Sequence, residues 1–125
     1  MSGVLCAVVG ATGVGGGGGS PLVATITAGE YASNFDSDSW TWNTATCSAS
    51  GGTPPYAYQW SWTGTSGGIF GFASSSALAS TLPAVSGVAR SNLAQGNLRC
   101  QVTDSAGVPV LVFSASETYY YENVF

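Results

Sequence analysis

Hydrophobic residues along this chain recur at every second position, in short runs broken by turn residues, and not at helical spacing. The first run, residues 22–27 (LVATIT), is β-rich and is ended by Gly29. Residues 34–39 (NFDSDS) read as a turn. Residues 40–50 follow as a second strand, with Trp40, Trp42, Thr44 and Thr46 on one face and Thr41, Asn43, Ala45 and Cys47 on the other. Residues 51–55 (GGTPP) make a turn, and residues 56–62 a third strand whose Tyr56, Tyr58, Trp60 and Trp62 share a face. A loop at 64–68 precedes a short strand at 69–72. A Ser/Ala-rich stretch is ambiguous, although residues 77–82 suit a strand before Pro83, and residues 86–97 read as a corner. Residues 98–103 alternate cleanly, with Leu98, Cys100 and Val102 inward. Asp104-Ser105-Ala106-Gly107 is a hairpin turn signal, and residues 108–116 are the last long strand. About seven short strands without an amphipathic helix predict an all-β sandwich.

The length of 125 residues fits one domain, expected over residues 21–116, with a glycine-rich arm at 1–20 and an aromatic tail at 117–125. Hydrophobic residues make up 45% of the chain, enough to fill one core. Charged residues make up only 6%, far below the roughly 25% of an ordinary soluble domain. Such a surface is hydrated by Ser, Thr, Asn and Gly, covered by other subunits, or both; a mixture is the expectation. The net charge is −4, and Arg90 and Arg99 are the only cations. No Lys/Arg cluster is therefore available to displace counterions from nucleic acid or to hold an anionic membrane.

The arm carries an apolar tip, with Val4, Leu5, Val8 and Val9, too short to span a bilayer and without the cation that opens a secretory signal. Leu5-Cys6 is a lipobox only superficially, since no hydrophobic region precedes it. Residues 8–16 (VVGATGVGG) mimic a dinucleotide-binding glycine fingerprint, with Glu30 downstream. That fingerprint requires a helix behind it, and glycines 15–19 followed by Ser20-Pro21 cannot form one. The arm is instead expected to order against a neighbouring subunit. Val4, Leu5, Val8 and Val9 at one end, and Tyr119, Tyr120, Tyr121 and Phe125 at the other, are the expected interface residues.

The chain has no histidine and no lysine. That removes Ser-His-Asp and Cys-His nucleophiles, His-based metal sites and Schiff-base chemistry. Six side-chain carboxylates remain, and nothing in the pattern sets two of them across a cleft. Asp36-Ser37-Asp38 lacks the ligand run of a calcium loop and reads as a solvated turn. No enzyme activity, cofactor or metal is expected. Cys6, Cys47 and Cys100 are too few for a disulfide framework; Cys47 and Cys100 are either one bridge or two buried thiols. Trp40, Trp42 and Trp62 cannot all face inward on regular strands, so one or two are expected on an exposed face or an interface.

Cys47, Trp60 and the run 98–107 (LRCQVTDSAG) together resemble an immunoglobulin-like domain over about residues 21–116. The resemblance implies that Cys47 lies on the second strand, Trp60 on the third and Cys100 on the sixth. The indole would pack over the cysteine pair, with Cys47, Trp60, Leu98, Cys100 and Val102 as structural core. Two departures set the chain apart from antibody domains: Leu98 stands where the corner tyrosine would be, and the two cysteines are closer in sequence. Residues 51–60 (GGTPPYAYQW) are similar to Ig-like modules of bacterial surface proteins and of tailed-bacteriophage particles. This implies a non-enzymatic virion protein, a capsid decoration or tail accessory subunit, made in the host cytoplasm. Its partners would be other virion proteins in a symmetric multi-copy assembly, with no nucleic acid or membrane bound. The alternative is a module binding carbohydrate or a cell surface, in which Trp42, Trp62 or Tyr119–Tyr121 would stack on host glycans.

Overall fold

The structure, a computed structural model, describes residues 20–124. Val4, Leu5, Cys6, Val8, Val9 and Phe125 lie outside the described residues, as does nearly all of the expected arm. The described chain is all-β, with no helix among these residues. Its strands are β1 (Val23–Ile26), β2 (Tyr31–Phe35), β3 (Trp40–Thr41), β4 (Ala45–Ser50), β5 (Ala57–Ser66), β6 (Ile69–Phe72), β7 (Ser80–Thr81), β8 (Pro83–Ser86), β9 (Leu93–Thr103), β10 (Leu111–Phe113) and β11 (Glu117–Val124).

The strands form two layers around one buried cluster. In the first, β1 and β7 flank β4, and β3 and β6 flank β8, all antiparallel. The chain links these two small sheets twice, β3 leading into β4 and β7 into β8. The second is centred on β9. Along one side runs β5, which sets Trp60 opposite Cys100. Along the other side run first β10 and then β11. Last comes β2, parallel to β11 from Tyr31↔Tyr120 to Phe35↔Val124. The chain thus passes from one layer to the other between β1 and β2. Gly29 lies at that crossing, where a Cβ would sit 1.9 Å from the Thr118 carbonyl oxygen, so only glycine fits.

Four features depart from the expected pattern, each for a physical reason. The run 40–50 is not one regular strand. The Trp42 N–H bonds to Pro83 O, whereas Ala45 stands opposite Thr81, so the chain takes three steps on one side for two on the other. This extra residue is a bulge, and it reverses the side-chain alternation. Trp42 therefore points inward together with Ala45 and Cys47, which the unbroken alternation had placed on the opposite face. β2 occupies residues read partly as a turn; it is an edge strand with mostly exposed side chains, and it shows no apolar alternation.

β9 begins five residues before the clean alternation at 98, inside the expected corner, because its inward positions there are Ala94 and Gly96. Finally, residues 117–124 are not a tail but the strand β11, whose Tyr119, Tyr121 and Asn123 face inward. Small residues at 94 and 96 make room for rings from both layers. A Cβ on Gly96 would come within 2.9 Å of the Phe70 ring and 3.1 Å of Trp62. Gly96→Ala is expected to destabilise the fold by about 1–3 kcal/mol through overpacking, read as a lower urea midpoint with an unchanged slope.

Candidate functional site

Cys47 and Cys100 are the reactive atoms the sequence brings closest to chemistry. They come from facing layers, on β4 and β9, and both are buried free thiols. The two thiols interact with each other, and Cys100 Sγ donates to Gln101 O at 3.7 Å. The interaction with Cys47 foremost, and burial after it, push the pKa of the Cys100 thiol well above the ordinary thiol range. The same interaction shifts Cys47 the other way, and among the described residues no helix N-terminus is present to lower either thiol further. Trp60 is buried on β5, opposite Cys100, and its Nε1 donates to Leu78 O at 2.8 Å. Leu98 and Val102 are buried in the same cluster. All five residues singled out from the sequence as core are thus brought together.

The aromatic side chains form a second centre inside the sandwich. Trp42 meets Tyr119 edge-on at 5.2 Å between ring centroids, stacks on Phe70 at 6.0 Å and lies 5.9 Å from Trp62. Its Nε1 donates to Tyr120 O at 3.2 Å, and Trp62 Nε1 donates to Gly71 O at 3.0 Å. Trp40 is the exception among the described indoles: its Nε1 is buried and has no hydrogen-bond partner. Trp42 is 1% exposed, which removes it as a sugar platform; Trp62 is half-buried, with Phe70, Phe72 and Tyr119 around its ring.

Tyr119 and Tyr121 are buried as well, and so are core residues and not the exposed interface expected of them. Burial pushes the Tyr119 phenol up to about 12. Tyr121 Oη donates to Ser37 O at 2.6 Å, and its ring stacks on Trp40. Tyr120, which faces the other way on β11, remains half-buried on the outer surface.

Polar side chains serve the fold at two places. Asp104 follows β9 and accepts hydrogen bonds from the N–H groups of Val110 (2.8 Å), Thr53 (3.1 Å) and Ala106 (3.3 Å). These bonds, that from Val110 foremost, hold its carboxyl below the ordinary carboxylate range. The carboxylate thus ties the turn after β9 to the 51–55 turn. A depressed folded-state pKa contributes stability above the unfolded value near 3.9, and that contribution disappears as pH falls through the folded value. Asp104→Asn is therefore expected to lower the melting temperature at pH 7, with the gap to the native chain closing below about pH 4. Melting curves across pH 2.5–7 check this.

At one end of the sandwich an open depression of about 500 Å³ is lined by Asp36, Ser37, Asp38, Val88, Ala89, Arg90 and Asn123. Arg90 forms a two-point ion pair with Asp36, at 2.6 and 2.9 Å, and Asn123 Nδ2 donates to Val88 O. No group of three or more His, Cys, Asp or Glu that would hold a metal occurs among the described residues.

The largest exposed hydrophobic side chains on the second layer are Tyr31 (63% exposed) and Phe35 (69%) on β2. They share the outer face with Tyr120, Val124 and Leu93. Sequence reasoning missed Tyr31 and Phe35 because it assigned no strand there. The signal available was their spacing of four residues with Ser33 between, which places all three on one face of a strand. No family model, no curated protein and no solved structure matches this chain.

Proposed function

We propose that this chain is a non-enzymatic, immunoglobulin-like structural subunit of a tailed-bacteriophage particle, a capsid decoration or tail accessory protein. The observation that carries the Ig-like reading is the division of its first strand between layers. β1 pairs antiparallel with β4, and β2 pairs parallel with β11. Cys47 of β4, Trp60 of β5 and Cys100 of β9 in one buried cluster are in keeping with what the resemblance at these three residues implies. A structural role is supported by the fate of the polar groups. The indoles of Trp42, Trp60 and Trp62, the Asp104 carboxylate and the Asp36–Arg90 pair all have partners within the fold. The absence of histidine and lysine from the sequence supports a non-enzymatic role. Virion membership rests on the similarity of residues 51–60 to phage Ig-like modules and on the low charge, which suits a surface partly covered by neighbours.

Mass spectrometry of particles purified from lysates of cells producing the chain tests this assignment. The chain is expected in many copies per particle, co-sedimenting through a density gradient. Recovery only in the soluble fraction would overturn the virion assignment.

A further inference from the structure

We propose that the outer face of the second layer, where β5 lies beside β9, binds an acidic sugar. The Arg99 guanidinium holds the sugar carboxylate, and the amides and hydroxyls around it meet the ring hydroxyls. The inference does not depend on the virion assignment. Three cross-strand pairs build this face: Gln59↔Gln101, Ser61↔Arg99 and Thr63↔Asn97. The even-numbered residues between them, Trp60, Leu98 and Cys100, are buried in the core, so the odd-numbered side chains point outward. Successive rungs on one face are about 7 Å apart, so the three span about 14 Å, the length of a short oligosaccharide.

Arg99 is half-buried, with its guanidinium over the Phe113 ring, 4.1 Å from the centroid. The ring holds one face of the group by cation–π attraction. Among the described residues the guanidinium makes no ion pair and no hydrogen bond, and its Nε is buried without a partner. An unpartnered buried donor is rare in a native fold. The acids of the chain are committed elsewhere. Asp36 pairs with Arg90, and Asp104 is held by the N–H groups of Val110, Thr53 and Ala106. Glu117 accepts from Gly29 N, Glu122 from Tyr31 Oη and Glu30 from Asn43. Asp38 lines the depression beside Arg90. The counter-ion that completes Arg99 therefore comes from outside the chain.

A guanidinium with one face on a ring presents its edge as a two-pronged donor, the geometry a carboxylate accepts. The neighbours of Arg99 select among carboxylates. The side chains of Ser61, Thr63 and Gln101 make no hydrogen bond among the described residues. Asn97 spends only its Oδ1, which accepts from Thr118 Oγ1 at 2.8 Å, and keeps its amide hydrogens. Uncommitted hydroxyls and amides beside one cation match a ring that carries several hydroxyls and one carboxylate, as uronic and sialic acids do. An acidic protein side chain would satisfy the guanidinium and leave these groups unused. The net charge of −4 does not prevent such a contact, because exposed charges are largely screened beyond about 8 Å in physiological salt.

Nuclear magnetic resonance titration of the isotope-labelled full chain tests the site. The acidic probes are sialyllactose and trigalacturonate; lactose and maltotriose are their neutral counterparts. At least one acidic probe is expected to bind with a Kd of about 1 mM or tighter, shifting Ser61, Asn97 and Gln101, and its neutral counterpart about tenfold more weakly or not at all. Arg99→Gln and Arg99→Lys are each expected to weaken binding about tenfold, the lysine because it keeps the charge without the fork. Ser61→Glu sets a carboxylate directly opposite Arg99, within the fold. It is expected to abolish binding while the melting temperature is kept or raised, and it reads the site even where a change at Arg99 unfolds the chain. No shift with either acidic probe at about 10 mM, equal binding of acidic and neutral sugars, or binding that survives Ser61→Glu overturns the proposal. So does self-association of the native chain that Ser61→Glu abolishes, which would assign Arg99 to a carboxylate of a second copy.

Discussion

Trp42→Ala is expected to destabilise the fold by about 3–5 kcal/mol, the usual cost of deleting a fully buried tryptophan side chain. Native domains are stable by only about 5–15 kcal/mol, so the variant should lose a large fraction of its stability. Three losses combine. The ring's contacts with Tyr119, Phe70 and Trp62 are removed, leaving a cavity where the two layers meet. The Tyr120 carbonyl loses the indole N–H that reaches it from the other layer. The bulge before Ala45, held open by an inward Trp42, also loses its anchor. Trp42→Phe keeps a ring but not the donor, and should fall between the native chain and alanine. Urea titration followed by near-ultraviolet circular dichroism reads all three forms. A sugar-stacking tryptophan would behave in the opposite way, with binding lost and the fold untouched.

The second large effect concerns the thiols. Cys47 and Cys100 are buried partners on facing layers. Oxidative refolding of a Cys6→Ser chain with a glutathione redox couple should join them, each thiol losing a proton and the disulfide of the couple taking up the two electrons. The bridge closes a loop of roughly 50 residues, for which chain-entropy arguments give about 4 kcal/mol and measured bridges typically about 2–4 kcal/mol. The oxidised form should therefore melt well above the reduced one, and a reductant should return the lower value. Peptide mapping should find Cys47 linked to Cys100. An unlinked pair, or a linked pair with no gain in stability, would mean that the thiols do not face one another as described.

Where a strand has one buried and one wet face, its alternation was plain in the sequence. Residues 98–103 and 69–72 read as strands, and the joint burial of Cys47, Trp60 and Cys100 is what the resemblance at these residues implies. Where inward positions are small, as at Ala94 and Gly96, the alternation has no hydrophobic contrast, and half of the central strand read as a corner. A single bulged residue reversed the faces of a run that otherwise alternates, so Trp42 appeared on the wrong side. β2 was illegible because it is held by backbone pairing to β11 and not by burial. The aromatic end of the chain is apolar enough to suggest an interface. It is buried instead within its own sandwich, and only the pairing of β11 with both β9 and β2 reveals that. The exposed surface consequently shifts from Tyr119 and Tyr121 to Tyr31 and Phe35.

The division of the first strand between the two layers is the claim on which the Ig-like reading depends, and backbone nuclear Overhauser effects test it most directly. The described fold predicts parallel-type contacts joining residues 31–35 to 120–124 in the register Ala32↔Tyr121 and Asn34↔Asn123. It also predicts antiparallel contacts joining Ala24 to Ala49 in the other layer. Antiparallel contacts between residues 31–35 and β11, or both segments pairing within one layer, would contradict it.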